Sequence, residues 1–150
     1  MSYAALFSVS FLAVVPLWLL MVFAPRWGWT RRIVTQPWAY APLAALYSIL
    51  VAVNATEVVP VIVADPRLAT VAPLLATPAG ATIAWIHFLA FDVFVGRWIF
   101  LDAGGRRLHP LLVGPVLALT LLFGPAGFLT YLVVRSLAKR RAGIETSGGG

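Results

Sequence analysis

From Met1 to Pro25 the chain carries no charged side chain, and that run decides which solvent it can fold in. Tyr3 to Ala24 supplies the ~20 apolar residues that a helix needs to cross a bilayer. In hydrocarbon every backbone N–H and C=O must be bonded within the segment, so such a run is helical. A secretory signal would need a basic stretch ahead of the apolar core and a small-residue cleavage site after it. Nothing basic precedes Tyr3, so the run is read as a retained first helix. The rest of the chain agrees: 61% of its 150 residues are hydrophobic and 11% charged, eleven basic against five acidic. Soluble domains carry about a quarter charged residues. Lipid is therefore the expected main partner, and the length allows about four spans at ~20 residues each.

The expected fold class is an all-α membrane protein, a bundle of about four transmembrane helices with a short interfacial segment between helices two and three. After an Arg26 to Arg32 loop, Gln36-Pro37 marks a helix start, because proline fits the first turn. Helix two is expected from Trp38 to Val59. Pro60, Pro66, Pro73 and Pro78 punctuate the next stretch, where Leu68 to Ala76 is apolar but too short to span and should lie at the interface. Helix three is expected from Ala81 to Leu101, closed by Asp102-Ala-Gly-Gly, and helix four from Pro110 to Val134. Residues 1–142 form one membrane domain, and 143–150, ending Gly-Gly-Gly, read as a disordered tail. The positive-inside rule is tied. Arg26, Arg31, Arg32, Arg106 and Arg107 lie on one side, and Arg67, Arg135, Lys139, Arg140 and Arg141 on the other. The first helix usually dominates such a tie, which favours both termini outside the cytoplasm.

Scarce polar groups inside apolar spans are informative, because an ionisable side chain at mid-membrane costs about 2.5–3.5 kcal/mol on insertion scales. Helix three keeps His87, Asp92, Arg97 and Asp102 at five-residue steps, with Asp92 nearest mid-bilayer. Each step advances about 7.5 Å and turns about 140°, so neighbours in the series face different ways and need partners from other helices. The set is either an interhelical ion-pair network or a site that meets substrate, and snorkelling suits Arg97 and Asp102 near the helix end. Helix two offers a stripe of Tyr40, Tyr47 and Asn54 at seven-residue spacing, with Glu57 three further on. Helix four carries Gly114-Pro115 and Gly124-Pro125-Ala-Gly127, able to kink it and open a pocket, together with Thr120, Thr130 and Tyr131. Trp85, Phe88, Phe91, Phe94, Trp98 and Phe100 crowd helix three. They serve as interfacial belt and packing, or as contacts for a long polyene.

Several classes drop out. With no cysteine there is no disulfide, thiolate metal site or cysteine nucleophile. The +6 charge is scattered along span flanks without a basic face, so nucleic acid is not an expected partner. His87 and His109 fall at opposite ends of helix three, against bis-histidine haem ligation in one chain. No metal or other cofactor is expected, and no Walker, GxGxxG, HExxH or GxSxG motif is present. No inverted repeat of the transporter kind is visible, which ranks a proton or small-solute transporter third.

The stretch Trp85-Ile-His-Phe-Leu-Ala-Phe-Asp-Val-Phe-Val-Gly-Arg-Trp-Ile, then Asp102, then Thr120-Leu-Leu-Phe-Gly-Pro-Ala-Gly-Phe-Leu-Thr-Tyr131, resembles the abscisic-acid-deficient-4-like family of neoxanthin-synthase-type membrane proteins. The resemblance implies an integral membrane protein of carotenoid metabolism. Its reaction class would isomerise an epoxide to an allenic alcohol with an acid, a base and no redox cofactor. On that resemblance Asp92 is the expected acid, His87 the base or relay, and Arg97 the group that orients the carboxylate. A carotenoid or isoprenoid ligand would meet Tyr47, Asn54, Glu57, Trp85, Phe88, Phe91, Trp98 and Thr120, between helices two, three and four. The alternative is a non-catalytic subunit that binds pigment or lipid and partners an enzyme, and a homo-oligomer is equally open. The plant proteins carry a plastid leader that this chain lacks. Its Ala/Arg/Val-rich, single-lysine composition points to a GC-rich bacterium and its inner membrane.

Overall fold

The computed structural model describes residues 1–147, with side chains through Ala138, and among them there are seven α-helices and no strand. They are α1 (Tyr3–Phe23), α2 (Gly28–Thr35), α3 (Ala41–Val53), α4 (Ala55–Val59), α5 (Leu68–Leu75), α6 (Pro78–Gly105) and α7 (Pro110–Ser147). Three described stretches are long and apolar enough to cross a membrane: Tyr3–Phe23, Pro78–Gly105 and Pro110–Ala138. Ala41–Val53 and Ala55–Ala64 make a fourth if the bent pair counts as one span. The all-helical membrane fold is therefore as expected. Much of the tail expected from Gly143, including residues 148–150 and every side chain past Ala138, lies outside the described residues.

The expected helix two is corrected. It starts at Ala41, after a single 3-10 turn at Pro37–Ala39, and its two halves meet at an angle of 81°. The break falls on Asn54, whose backbone leaves the helical region (φ −103°, ψ 21°). Short polar side chains compete with the helix for backbone groups, and the Asn54 amide donates to the Leu50 carbonyl at 2.8 Å. Its Oδ1 accepts the Tyr3 hydroxyl at 2.9 Å, which ties the joint to α1. Pro60, lacking an N–H, then lets the chain widen into a π-turn in which the Asp65 N–H reaches back five residues to the Pro60 carbonyl at 3.1 Å. Glu57 therefore leaves the Tyr40–Tyr47–Asn54 stripe and is exposed on α4. Tyr3→Phe removes one interhelical hydrogen bond in lipid, worth about 0.6 kcal/mol on average. A small fall in apparent Tm in detergent is expected, with unchanged far-ultraviolet dichroism.

Other boundaries move for simple reasons. The loop after helix one holds α2, eight residues whose buried Thr30 and Val34 form its inner side. The Thr30 hydroxyl donates to the Ala24 carbonyl at 2.7 Å, closing the open end of α1. Helix three extends over Pro78–Gly105, so Gly104 and Gly105 lie inside its last turn. Helix four runs past Val134 and is interrupted at Phe123 (φ −142°, ψ 56°), ahead of Gly124-Pro125. The expected interfacial segment is α5, a short helix with no fully buried residue.

The chain forms two compact units, Met1–Pro16 with Pro37–Phe91, and Leu17–Gln36 with Asp92–Gly150. In the first unit Leu43, Leu50, Ile83, Ile86 and Leu89 are buried; in the second, Trp18, Met21, Val93, Ile99, Val116, Leu117 and Tyr131 are. Along α6 the buried positions include 83, 86, 89, 93, 96, 99 and 103, a spacing of three or four residues that lays one stripe against neighbouring helices. Gly96 lies on this stripe, where the Trp18 ring occupies the space a Cβ would take. Small residues allow such close approach where lipid gives helices no hydrophobic drive to associate. Buried hydroxyls close on their own helices: Ser10 on the Phe7 carbonyl and Thr82 on the Pro78 carbonyl, at 2.8 and 2.7 Å.

Candidate functional site

The sequence candidates divide between the two units. In the first, α6 and α3 bring an imidazole among aromatic rings. The His87 ring lies 4.7 Å from Phe91, 5.3 Å from Tyr47 and 6.2 Å from Phe88. Two residues before His87 on α6, Trp85 stacks on Phe7 of α1 at 4.7 Å, with Phe11 at 6.3 Å. The Trp85 indole N–H is buried without a hydrogen-bond partner, and such a donor is costly to leave unmade. The surroundings of His87 and Trp85 are apolar and aromatic. Asn54 is bonded through its oxygen to Tyr3 and through its amide N–H to Leu50.

In the second unit Asp92 projects from α6 onto the break in α7. Its carboxyl rests on Gly124, where any side chain would collide with it, and glycine alone leaves that room. It is partly buried, and among the described residues it makes no hydrogen bond or ion pair. Arg97 reaches the end of α2: Nε donates to the Val34 carbonyl at 2.8 Å and Nη2 to the Thr35 carbonyl at 3.1 Å. A cation there complements the negative end of the helix dipole. The five-residue spacing asked for a partner on another helix, and a helix terminus supplies it. The Thr120 hydroxyl, fully buried, donates to the Val116 carbonyl at 2.8 Å, so it helps hold the α7 break and presents no free proton.

Asp102, expected in an interhelical ion-pair network, in a substrate site or snorkelling at a helix end, is tied to α7: its Oδ2 accepts the Tyr131 hydroxyl at 2.6 Å and Arg106 Nε at 2.7 Å, with Arg135 Nε at 3.2 Å. Trp98 packs beside it, 5.5 Å from Tyr131 and 5.6 Å from Phe128, under the Arg135 guanidinium at 5.5 Å. The hydrogen bond that Arg106 donates to Asp102 raises the Arg106 pKa above its ordinary value, against a smaller opposing desolvation. Three donors meet one oxygen of this carboxylate, so it fastens α6 to α7 and is poorly suited to deliver a proton. The 102/106 spacing of four was the available sequence signal. Tyr131 and Arg135, about thirty residues on, carried none. Among the described residues no three potential metal ligands converge.

Residues 5–131 match the family described as ABA DEFICIENT 4-like. The chain belongs to this family. A curated relative, Protein ABA DEFICIENT 4, chloroplastic, from Arabidopsis thaliana, is 27% identical over 139 residues, covering 89% of this chain and 62% of the plant protein. The chain thus spans about three-fifths of that relative's length. No solved structure matches. The ABA DEFICIENT 4-like match encloses His87, Asp92, Arg97, Asp102 and Tyr131, while Tyr3 and Arg135 fall outside it.

Proposed function

We propose that this chain is a carotenoid-related membrane protein that isomerises an epoxycarotenoid, or an isoprenoid of like chemistry, by acid–base catalysis. The family and the plant relative support the carotenoid connection. The observation that carries the catalytic part is the Asp92 carboxyl, unengaged by any described donor and resting on the glycine at the α7 break. Asp92 gives its proton to the epoxide oxygen and the C–O bond opens. A base, His87 or a relay through it, takes the proton from the adjacent polyene carbon, leaving a hydroxyl and cumulated double bonds. Electrons balance without an oxidant or reductant. Arg97, bound to α2, is a positioning residue, and Tyr47, Trp85, Phe88 and Phe91 of the first unit contact the polyene.

A second reading is favoured by one observation. Phe88, Phe91 and Phe94 are each nearly 60% exposed on the isolated chain, an outward aromatic face that suits a pigment-binding subunit working with an enzyme. The purified protein alone, in lipid nanodiscs with an epoxycarotenoid, separates the two. Catalysis predicts a new allenic product by chromatography. Bound pigment recovered unchanged would leave the subunit reading and remove the isomerase. A bacterial inner membrane is supported by composition alone, since the relative is chloroplastic.

A further inference from the structure

In the second unit, where α1 leads into α2 and α6 into α7, the surface opens into a half-open cavity of about 320 Å³, within the range of small-molecule sites. Arg26, Arg31, Arg107 and His109 line it against apolar Phe100 and Val113. An adjoining space of about 400 Å³ shares Arg26 and His109 and adds Phe23 and Trp27. Among the described residues no carboxylate lines either one. The ion pairs among the described residues engage Arg67, Arg106 and Arg135, so the three cavity arginines converge without a counter-charge.

Two further features aim positive charge at the same place. Arg107 is the single described non-glycine residue with positive φ, at 55°. It closes α6 in a Schellman arrangement: Leu108 N–H bonds the Ala103 carbonyl at 3.0 Å and Arg107 N–H the Gly104 carbonyl at 3.2 Å. Glycine normally fills that left-handed position. Gly104 and Gly105 stand just before it, yet an arginine occupies it, and that arginine lines the cavity. The 38-residue α7 begins at Pro110 beside the same cavity, and helix N-termini favour anions. His109 Nδ1 accepts the Leu111 N–H at 3.3 Å, which leaves Nε2 as the nitrogen that carries a proton.

We propose that this cavity binds the phosphate head of an amphiphile, with its apolar tail running along the Phe23 and Trp27 side. Guanidinium groups pair with phosphate oxygens through two parallel N–H bonds, and three of them suit a multiply charged or densely oxygenated head. An anionic phospholipid and a prenyl diphosphate share this chemistry. The site is independent of the proposed isomerase.

The full chain is placed in nanodiscs of phosphatidylcholine and titrated separately with phosphatidylglycerol, farnesyl diphosphate and inorganic pyrophosphate, with adducts counted by native mass spectrometry. One adduct per chain is expected with at least one amphiphile, and the tighter of the two identifies the source. Arg31→Gln and Arg107→Gly should each weaken it at least tenfold. Arg67→Gln, which removes an exposed cation paired with Asp65 elsewhere, should leave it unchanged. Arg107→Gly relieves the left-handed backbone, so its apparent Tm without ligand should hold or rise. Should that variant fail to fold, Arg31→Gln carries the test. Absence of an adduct with every phosphate probe overturns the proposal, and so does an equal loss in Arg67→Gln, which would mean diffuse surface charge.

Discussion

Asp92→Asn is expected to lower product formation by about 10²- to 10⁴-fold, the range that a positioned general acid contributes, while leaving the apparent Tm within a degree or two of the parent. Asparagine matches aspartate in shape, so the contact with Gly124 survives, but it has no acidic proton to give. The carboxyl makes no hydrogen bond among the described residues, so replacing it breaks no network. Asp92→Leu sharpens the test. Leucine is apolar and suits lipid, so a site residue predicts lost turnover with little lost stability. If turnover and stability fall together in both variants, Asp92 is a packing element and the acid must be sought elsewhere. Asp102 is a useful contrast, since three donors converge on it and its removal should act mainly on folding.

Gly127→Val should produce the largest loss of stability of any single substitution in α7. Gly127 is buried, and a Cβ there would run into the backbone N and Cα of Thr120 as well as its hydroxyl. Overpacking a well-filled interior costs about 1–3 kcal/mol, and the upper end applies because a backbone cannot rotate aside as a side chain can. The halves of α7 on either side of Phe123 would have to separate, carrying Gly124 away from Asp92. Thermal unfolding in detergent measures the effect. Gly104→Val is the control, since nothing lies within 4 Å of its would-be Cβ. Equal Tm values for the two variants would show that the close approach at Thr120 contributes nothing.

The spans were legible because their signal is local. An uncharged run of the right length can only be helical in hydrocarbon, which is why α1 lies within a residue of its expected bounds. The short helix α5 was legible for the same reason, in that a stretch this short, interrupted by Pro73, cannot cross. The break at Asn54 was not. Asparagine inside an apolar helix is compatible with a straight span, and the bend rests on a hydrogen bond to Tyr3, fifty-one residues away. Likewise the i, i+4 pairing of Asp102 with Arg106 could be read along one helix, but Tyr131 and Arg135 join it only through the packing of α7.

Sequence alone determined the solvent, the helical class, the scarcity of charge and the family resemblance later borne out over residues 5–131, because each depends on residue type and spacing within a short stretch. It also singled out Asp92 as the acid farthest from a helix end. Only the tertiary structure decided which charges are spent and which are spare. Asp102 is consumed by three donors and Arg97 by the end of α2, whereas Asp92 and the three cavity arginines keep their charge or proton unengaged by any described side chain. The physical reason is that a polar group's free energy in lipid is set by whichever group meets it in space, and partners dozens of residues away leave no local mark.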